Sequence, residues 1–136
     1  MTIAPGKRIV HSDQAPKAIG PYSQAVIAEK MVFTAGQIGL NPATAELVEG
    51  GITAQTRQVL TNLAHVLQAA DSALELAVKT TVYLTDMKDF AAMNEVYAEF
   101  LAQDPPARST VAVAGLPRGA LIEMDVAALV RGAQAK

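Results

Sequence analysis

The sequence predicts an α+β domain, a mixed β-sheet carrying two helices on one face. Three observations point there. Runs of β-branched and aromatic residues alternate as strands do, whereas two other stretches repeat their apolar residues at helical spacing. The order is two or three strands and a helix, a strand and a helix, then two closing strands, which indicates helices gathered on one face of a mixed sheet. The composition is 51% hydrophobic and only 18% charged, more apolar surface than one small domain needs to hide. The sheet face left bare by the helices is therefore expected to be covered by other copies of the chain. At 136 residues the chain is expected to be a single domain, 1–136, with frayed termini at 1–6 and 131–136.

Lys7-Arg8-Ile9-Val10-His11 reads as a first, edge strand. Gln14 to Ser23 holds two prolines and a glycine and is a loop. Ser23–Ala28 and Met31–Ala35 read as two strands of a hairpin turning at Glu29-Lys30. Gly36-Gln37-Ile38-Gly39 follows as a glycine-rich turn, where a strand or a ligand can approach the backbone closely. From Thr53, residues Val59, Leu60, Leu63, Val66, Leu67 and Ala70 form one stripe of an amphipathic helix of about five turns, ended at Asp71-Ser72-Ala73. Val78–Thr85 is a strand by its β-branched content. Asp86 or Asp89 caps a second helix whose buried stripe is Phe90, Met93, Tyr97, Phe100 and Leu101. Pro105-Pro106 stop it, and strands Arg108–Ala114 and Ala120–Val130 follow, joined by Gly115-Leu116-Pro117-Arg118-Gly119 and read as a hairpin.

Several functional classes are excluded or disfavoured. A net charge of −2 supplies no electrostatic footprint for nucleic acid. The absence of cysteine rules out thiolate nucleophiles, disulfides and thiolate metal sites. His11 and His65 lie on different elements, so no metal is expected. No apolar run is long enough for a membrane span and no signal-peptide core is seen, so a soluble cytoplasmic protein is expected.

The chemistry concentrates in the last two strands. Arg108 opens a β-branched run, and its planar charged fork suits a carboxylate. Glu123 interrupts the apolar run Leu121–Val126, where an acid needs a partner. In a hairpin whose opposed residues sum to an odd index, Arg108 and Glu123 share a face and form either a cross-strand ion pair or a polar ligand site.

The chain resembles the RidA family (the YjgF/YER057c/UK114 group) from about Ala15 to Val130. The resemblance rests on Ala18-Ile19-Gly20-Pro21-Tyr22-Ser23-Gln24-Ala25, Thr34-Ala35-Gly36-Gln37-Ile38 with Asn41-Pro42, and Val78-Lys79-Thr80-Thr81-Val82. It continues through Asp89-Phe90 with Asn94 and Tyr97, Pro106-Ala107-Arg108-Ser109, and Gly115-Leu116-Pro117 followed by Glu123. It implies a chorismate-mutase-like α+β fold in a homotrimer with a barrel-like core and sites between subunits. It also implies hydrolysis of 2-enamine and 2-imino acids, such as 2-aminoacrylate and 2-iminobutyrate, to 2-keto acids and ammonia, without a cofactor. Arg108 and Glu123 take the catalytic positions; Tyr22, Gly36, Asn94 and Thr110 take the substrate-binding ones. Two departures stand out. Thr110 replaces the cysteine of many relatives, and the 102–105 segment is short and lacks an aromatic before Pro106, which bears on pocket width. The competing expectations are a non-catalytic carboxylate sensor or chaperone-like protein and, less favoured, an endoribonuclease.

Overall fold

The computed structural model describes residues 6–134, which pack around one hydrophobic core. Strand β1 (Lys7–Val10) pairs antiparallel with β2 (Ala25–Ala28), and β2 with β3 (Met31–Thr34). Ala28 faces Met31 across the turn at Glu29-Lys30, as the sequence predicts. The glycine-rich turn holds a strand the sequence reading lacks, β4 (Gln37–Ile38). It is too short to show periodicity.

Helix α1 (Gly51–Ala69) carries the expected stripe: Val59, Leu60, Leu63, Val66 and Leu67 are fully buried. Thr56 and Asn62 are buried as well, though both are polar. Asn62 donates to the carbonyls of Leu40 at 3.0 Å and Ile38 at 3.4 Å, which ties the segment after β4 to the helix. Gly39 lies against the Gln55 backbone, so close that a β-carbon there would stand 3.0 Å from the Gln55 Cα. Asp71, at φ 59°, turns the chain out of the helix.

Strand β5 (Ala77–Leu84) leads into a 3₁₀ turn (Met87–Asp89) capped by the Asp86 carboxylate, which accepts from the Lys88 amide. Helix α2 (Phe90–Leu101) buries Met93, Val96, Tyr97 and Leu101; Phe90, placed in the buried stripe from sequence, is instead 37% exposed. Strands β6 (Ala107–Ala112) and β7 (Ile122–Leu129) follow. The chain continues into a short turn, α3 (Arg131–Gln134), where the amides of Arg131 and Gly132 donate to Asp71. The sequence reading has a loose tail from 131; residues 131–134 are held, and the remainder, like 1–5, lies outside the described residues.

The sheet order is β1-β2-β3-β7-β5-β6, with β4 also on β7. This corrects the expected hairpin of the last two strands. β5 lies between β6 and β7, parallel to the first and antiparallel to the second. The physical reason is the connection through α2: a strand–helix–strand crossover returns the chain parallel to where it began, which puts β6 on the outer edge of β5. Residues facing one another in register share a sheet face. Thr80 pairs with both Arg108 and Val126, and Tyr83 pairs with Glu123. Arg108 is thus on the face of Thr80, Val82, Met124 and Val126, which the helices cover. Glu123, with Tyr83 and Asp125, is on the other. The predicted sharing of one face by Arg108 and Glu123 within the chain is overturned.

The uncovered face carries large apolar groups in the open, among them Phe33 at 49% exposure and Val111 at 43%. None of the helices in the described residues is long and apolar enough to cross a membrane.

Candidate active site

Arg108 stands near the start of edge strand β6, directly after the prolines that end the α2 connection. Its side chain lies along α2, where Phe90, Asn94 and Tyr97 are spaced four and three residues apart and so share a helix face. Arg108 Nη1 donates to Asn94 Oδ1 at 2.7 Å. The guanidinium carbon sits 4.6 Å from the centre of the Tyr97 ring and 5.5 Å from that of Phe90. Among the described residues Asn94 is its one hydrogen-bond partner, and Arg108 enters no ion pair. The ordinary cross-strand Arg–Glu pair is therefore ruled out within the chain. A guanidinium held by a stack and one hydrogen bond keeps most of its five donors for something else. A cavity of about 390 Å³ opens beside it, lined by Asn94, Ala98, Ala102, Pro105 and Pro106. Thr110 lies two residues further along the same face, half-buried and opposite Val82.

Glu123 belongs to a second cavity, of about 380 Å³, that it lines together with Tyr22, Gly36, Lys17 and Arg118. β4 and β5 flank it on either side, with Ile38 and Tyr83 as its register partners. The carboxylate lies over Gly36, and a β-carbon at that position would collide with it. Glycine is required there for room, not for an unusual backbone angle. Burial raises the Glu123 pKa above its ordinary value of 4.5, and the negative charge of Asp125 on the same face adds to the shift. Asp125 in turn accepts a hydrogen bond from the Tyr83 hydroxyl at 3.0 Å. Burial, first, and that bond hold the Tyr83 proton more tightly than usual. Tyr22 is exposed, its hydroxyl accepting from the Ile19 amide at 3.3 Å. The loop that presents it is fixed by buried Gln24, which accepts from the Ser12 amide at 2.6 Å and donates to the carbonyls of Ser12 and Pro16 at 3.1 and 2.8 Å.

The predicted residues thus fall into two separate groups, each at its own cavity. Arg108 and Asn94, with Thr110 nearby, form one; Glu123, Gly36 and Tyr22 form the other. A family model described as Endoribonuclease L-PSP matches residues 12–130. The chain belongs to the YjgF/RidA family. It is 50% identical to protein DfrA of Myxococcus xanthus over 90% of this chain and 95% of that one. A 2-iminobutanoate/2-iminopropanoate deaminase of Capra hircus is 42% identical over 90% of each chain. Among solved structures, E. coli TdcF with bound serine superposes with a TM-score of 0.86 at 39% identity, over 90% of this chain and 98% of that one. The α+β fold with both helices on one face of a single sheet is shared with such YjgF/RidA relatives.

Two contributors escape sequence reasoning. Tyr97 reads as core because its spacing is that of a buried stripe, yet one face of its ring carries Arg108. Asp125, two residues along the same strand face, acts electrostatically on Glu123, which alternation along the strand does not reveal.

Proposed function

We propose that this YjgF/RidA protein hydrolyses reactive 2-enamine and 2-imino acids to 2-keto acids and ammonia. The reading is carried by Arg108, a stacked guanidinium without an acidic partner among the described residues, which is what a small carboxylate needs. The deaminase name borne by the Capra hircus relative and the serine bound by TdcF agree with it.

In this reading the substrate carboxylate docks on Arg108 while Asn94 holds the other side of the guanidinium. An enamine first takes a proton on carbon to become the imine. Water then adds to the imine carbon: the new C–O bond forms, the C=N π pair goes to nitrogen, and nitrogen takes a proton. The nitrogen then takes a second proton, the C–N bond breaks with its electron pair going to nitrogen, ammonia leaves, and the hydroxyl proton passes back to Glu123 as the carbonyl forms. Glu123 orients the water, receives its proton and hands one to nitrogen. A carboxyl with a raised pKa suits both directions of that transfer. Tyr22 closes over the ligand, Gly36 keeps room for the carboxylate, and the Thr110 backbone lines the pocket. Water and side chains suffice, so the reading includes no metal or cofactor, and it places the protein in the cytoplasm.

Joining Arg108 to Glu123 requires a second copy. The reading therefore includes a homotrimer in which each site takes the Arg108 half from one chain and the Glu123 half from its neighbour, the bare sheet faces turned inward. The test couples threonine dehydratase to release of 2-oxobutanoate. The wild-type protein is expected to accelerate release and Arg108→Ala to abolish the acceleration. No acceleration by an assembled wild-type protein overturns the reading in favour of a carboxylate-binding one.

A further inference from the structure

Tyr97 does more than fill the core. Its hydroxyl lies 2.7 Å from the Thr80 hydroxyl. Thr80 is completely buried and Tyr97 is 6% exposed. Thr80 is also the register partner of Arg108, on the same sheet face. Three side chains thus form a closed triangle: Thr80 beside Arg108 on neighbouring strands, Tyr97 bonded to Thr80, and Arg108 stacked on Tyr97. A phenol bonded at its tip cannot swing its outer end away without giving up a buried hydrogen bond, and the packing around a ring only 6% exposed keeps its face turned to the guanidinium. Asn94 then sets the guanidinium's rotation within that plane.

We propose that Thr80 and Tyr97 are positioning residues for carboxylate recognition, acting as a strut that fixes the orientation of Arg108. This rests on the reading of Arg108 as the carboxylate holder. A free arginine samples many rotamers, and a ligand that must select one binds more weakly than a ligand meeting it preset. The hydroxyl pair serves this purpose better than a purely apolar contact would, because the bond fixes where the outer end of the ring sits over the strand.

The experiment measures binding of 2-oxobutanoate by calorimetry alongside turnover and thermal midpoint. The variants are Tyr97→Phe, Thr80→Val, the double variant Tyr97→Phe/Thr80→Val and Thr80→Ser, in wild-type and Arg108→Ala backgrounds. The double variant removes both hydroxyls and leaves no buried orphan, so it keeps the fold even if Thr80→Val does not. Affinity is expected to fall about three- to tenfold in Tyr97→Phe and in the double variant, with kcat little changed. Thr80→Ser keeps it, and in the Arg108→Ala background the substitutions leave affinity unchanged. Unchanged affinity in the double variant overturns the strut, as does a loss that persists without Arg108 or an absence of binding by the wild type. Binding without turnover, with the same pattern across the variants, overturns imine hydrolysis and sustains the strut.

Discussion

The Glu123 carboxylate occupies the space that a β-carbon on residue 36 would take. The relationship separates two roles that glycine can play. Since the position needs no left-handed angle, alanine fits the backbone and only the acid must move.

Gly36→Ala is therefore expected to leave the thermal midpoint almost unchanged while lowering imine hydrolysis on the order of 10²-fold, the range of a displaced general acid–base. Side-by-side melting and coupled-turnover measurements check this. A fall in stability without a fall in turnover would show that the contact is only structural.

Glu123 also makes a prediction with a definite sign. Its folded-state pKa is raised by burial and by Asp125, so folding disfavours the ionised form. Below its ordinary value of 4.5 the group is protonated whether the chain is folded or unfolded, and no penalty exists. As pH rises through the folded-state value, the wild type loses stability that Glu123→Gln keeps. The variant is expected to be the more stable protein at neutral pH, with the difference closing below 4.5 and with hydrolysis lost. Urea titrations across pH read it; a variant less stable at pH 7 would contradict it.

The last two strands show what was legible in the sequence and what was not. Arg108 and Glu123 stand out as charges in apolar strands, and the stripe from Val59 to Leu67 identifies α1 and its buried side. Alternation within a strand tells which residues share a face of that strand, but not which strand lies beside it. Gly115–Gly119 looks like a hairpin connection, and only the return through α2 puts β5 between β6 and β7. The two-residue β4 has no period to detect. Tyr97 shows a further limit, since helical spacing reports that a ring is inward and says nothing of what lies on it.

Gln24 fixes the loop that carries Lys17 and Tyr22 through three hydrogen bonds to backbone groups of Ser12 and Pro16. Gln24→Ala leaves those groups unpaired in a buried setting, which costs about 1–3 kcal/mol. A lowered urea midpoint with an unchanged slope is the expected result.

Phe33 and Val111 lie on the uncovered sheet face. A charge placed there opposes burial against another copy. Val111→Glu is expected to yield folded monomers by sedimentation, with native circular dichroism and no hydrolysis. An associated and active variant would argue against assembly through this face.

The opposite facing of Arg108 and Glu123 has a genetic consequence. Loss-of-function lesions at the two positions would fall into separate complementation groups within a single gene. Arg108→Ala and Glu123→Gln chains, each silent alone, would regain activity when unfolded together and refolded as a mixture. With random assembly in a ring, about a quarter of the sites would pair an intact arginine with an intact glutamate. A chain carrying both lesions would rescue neither partner.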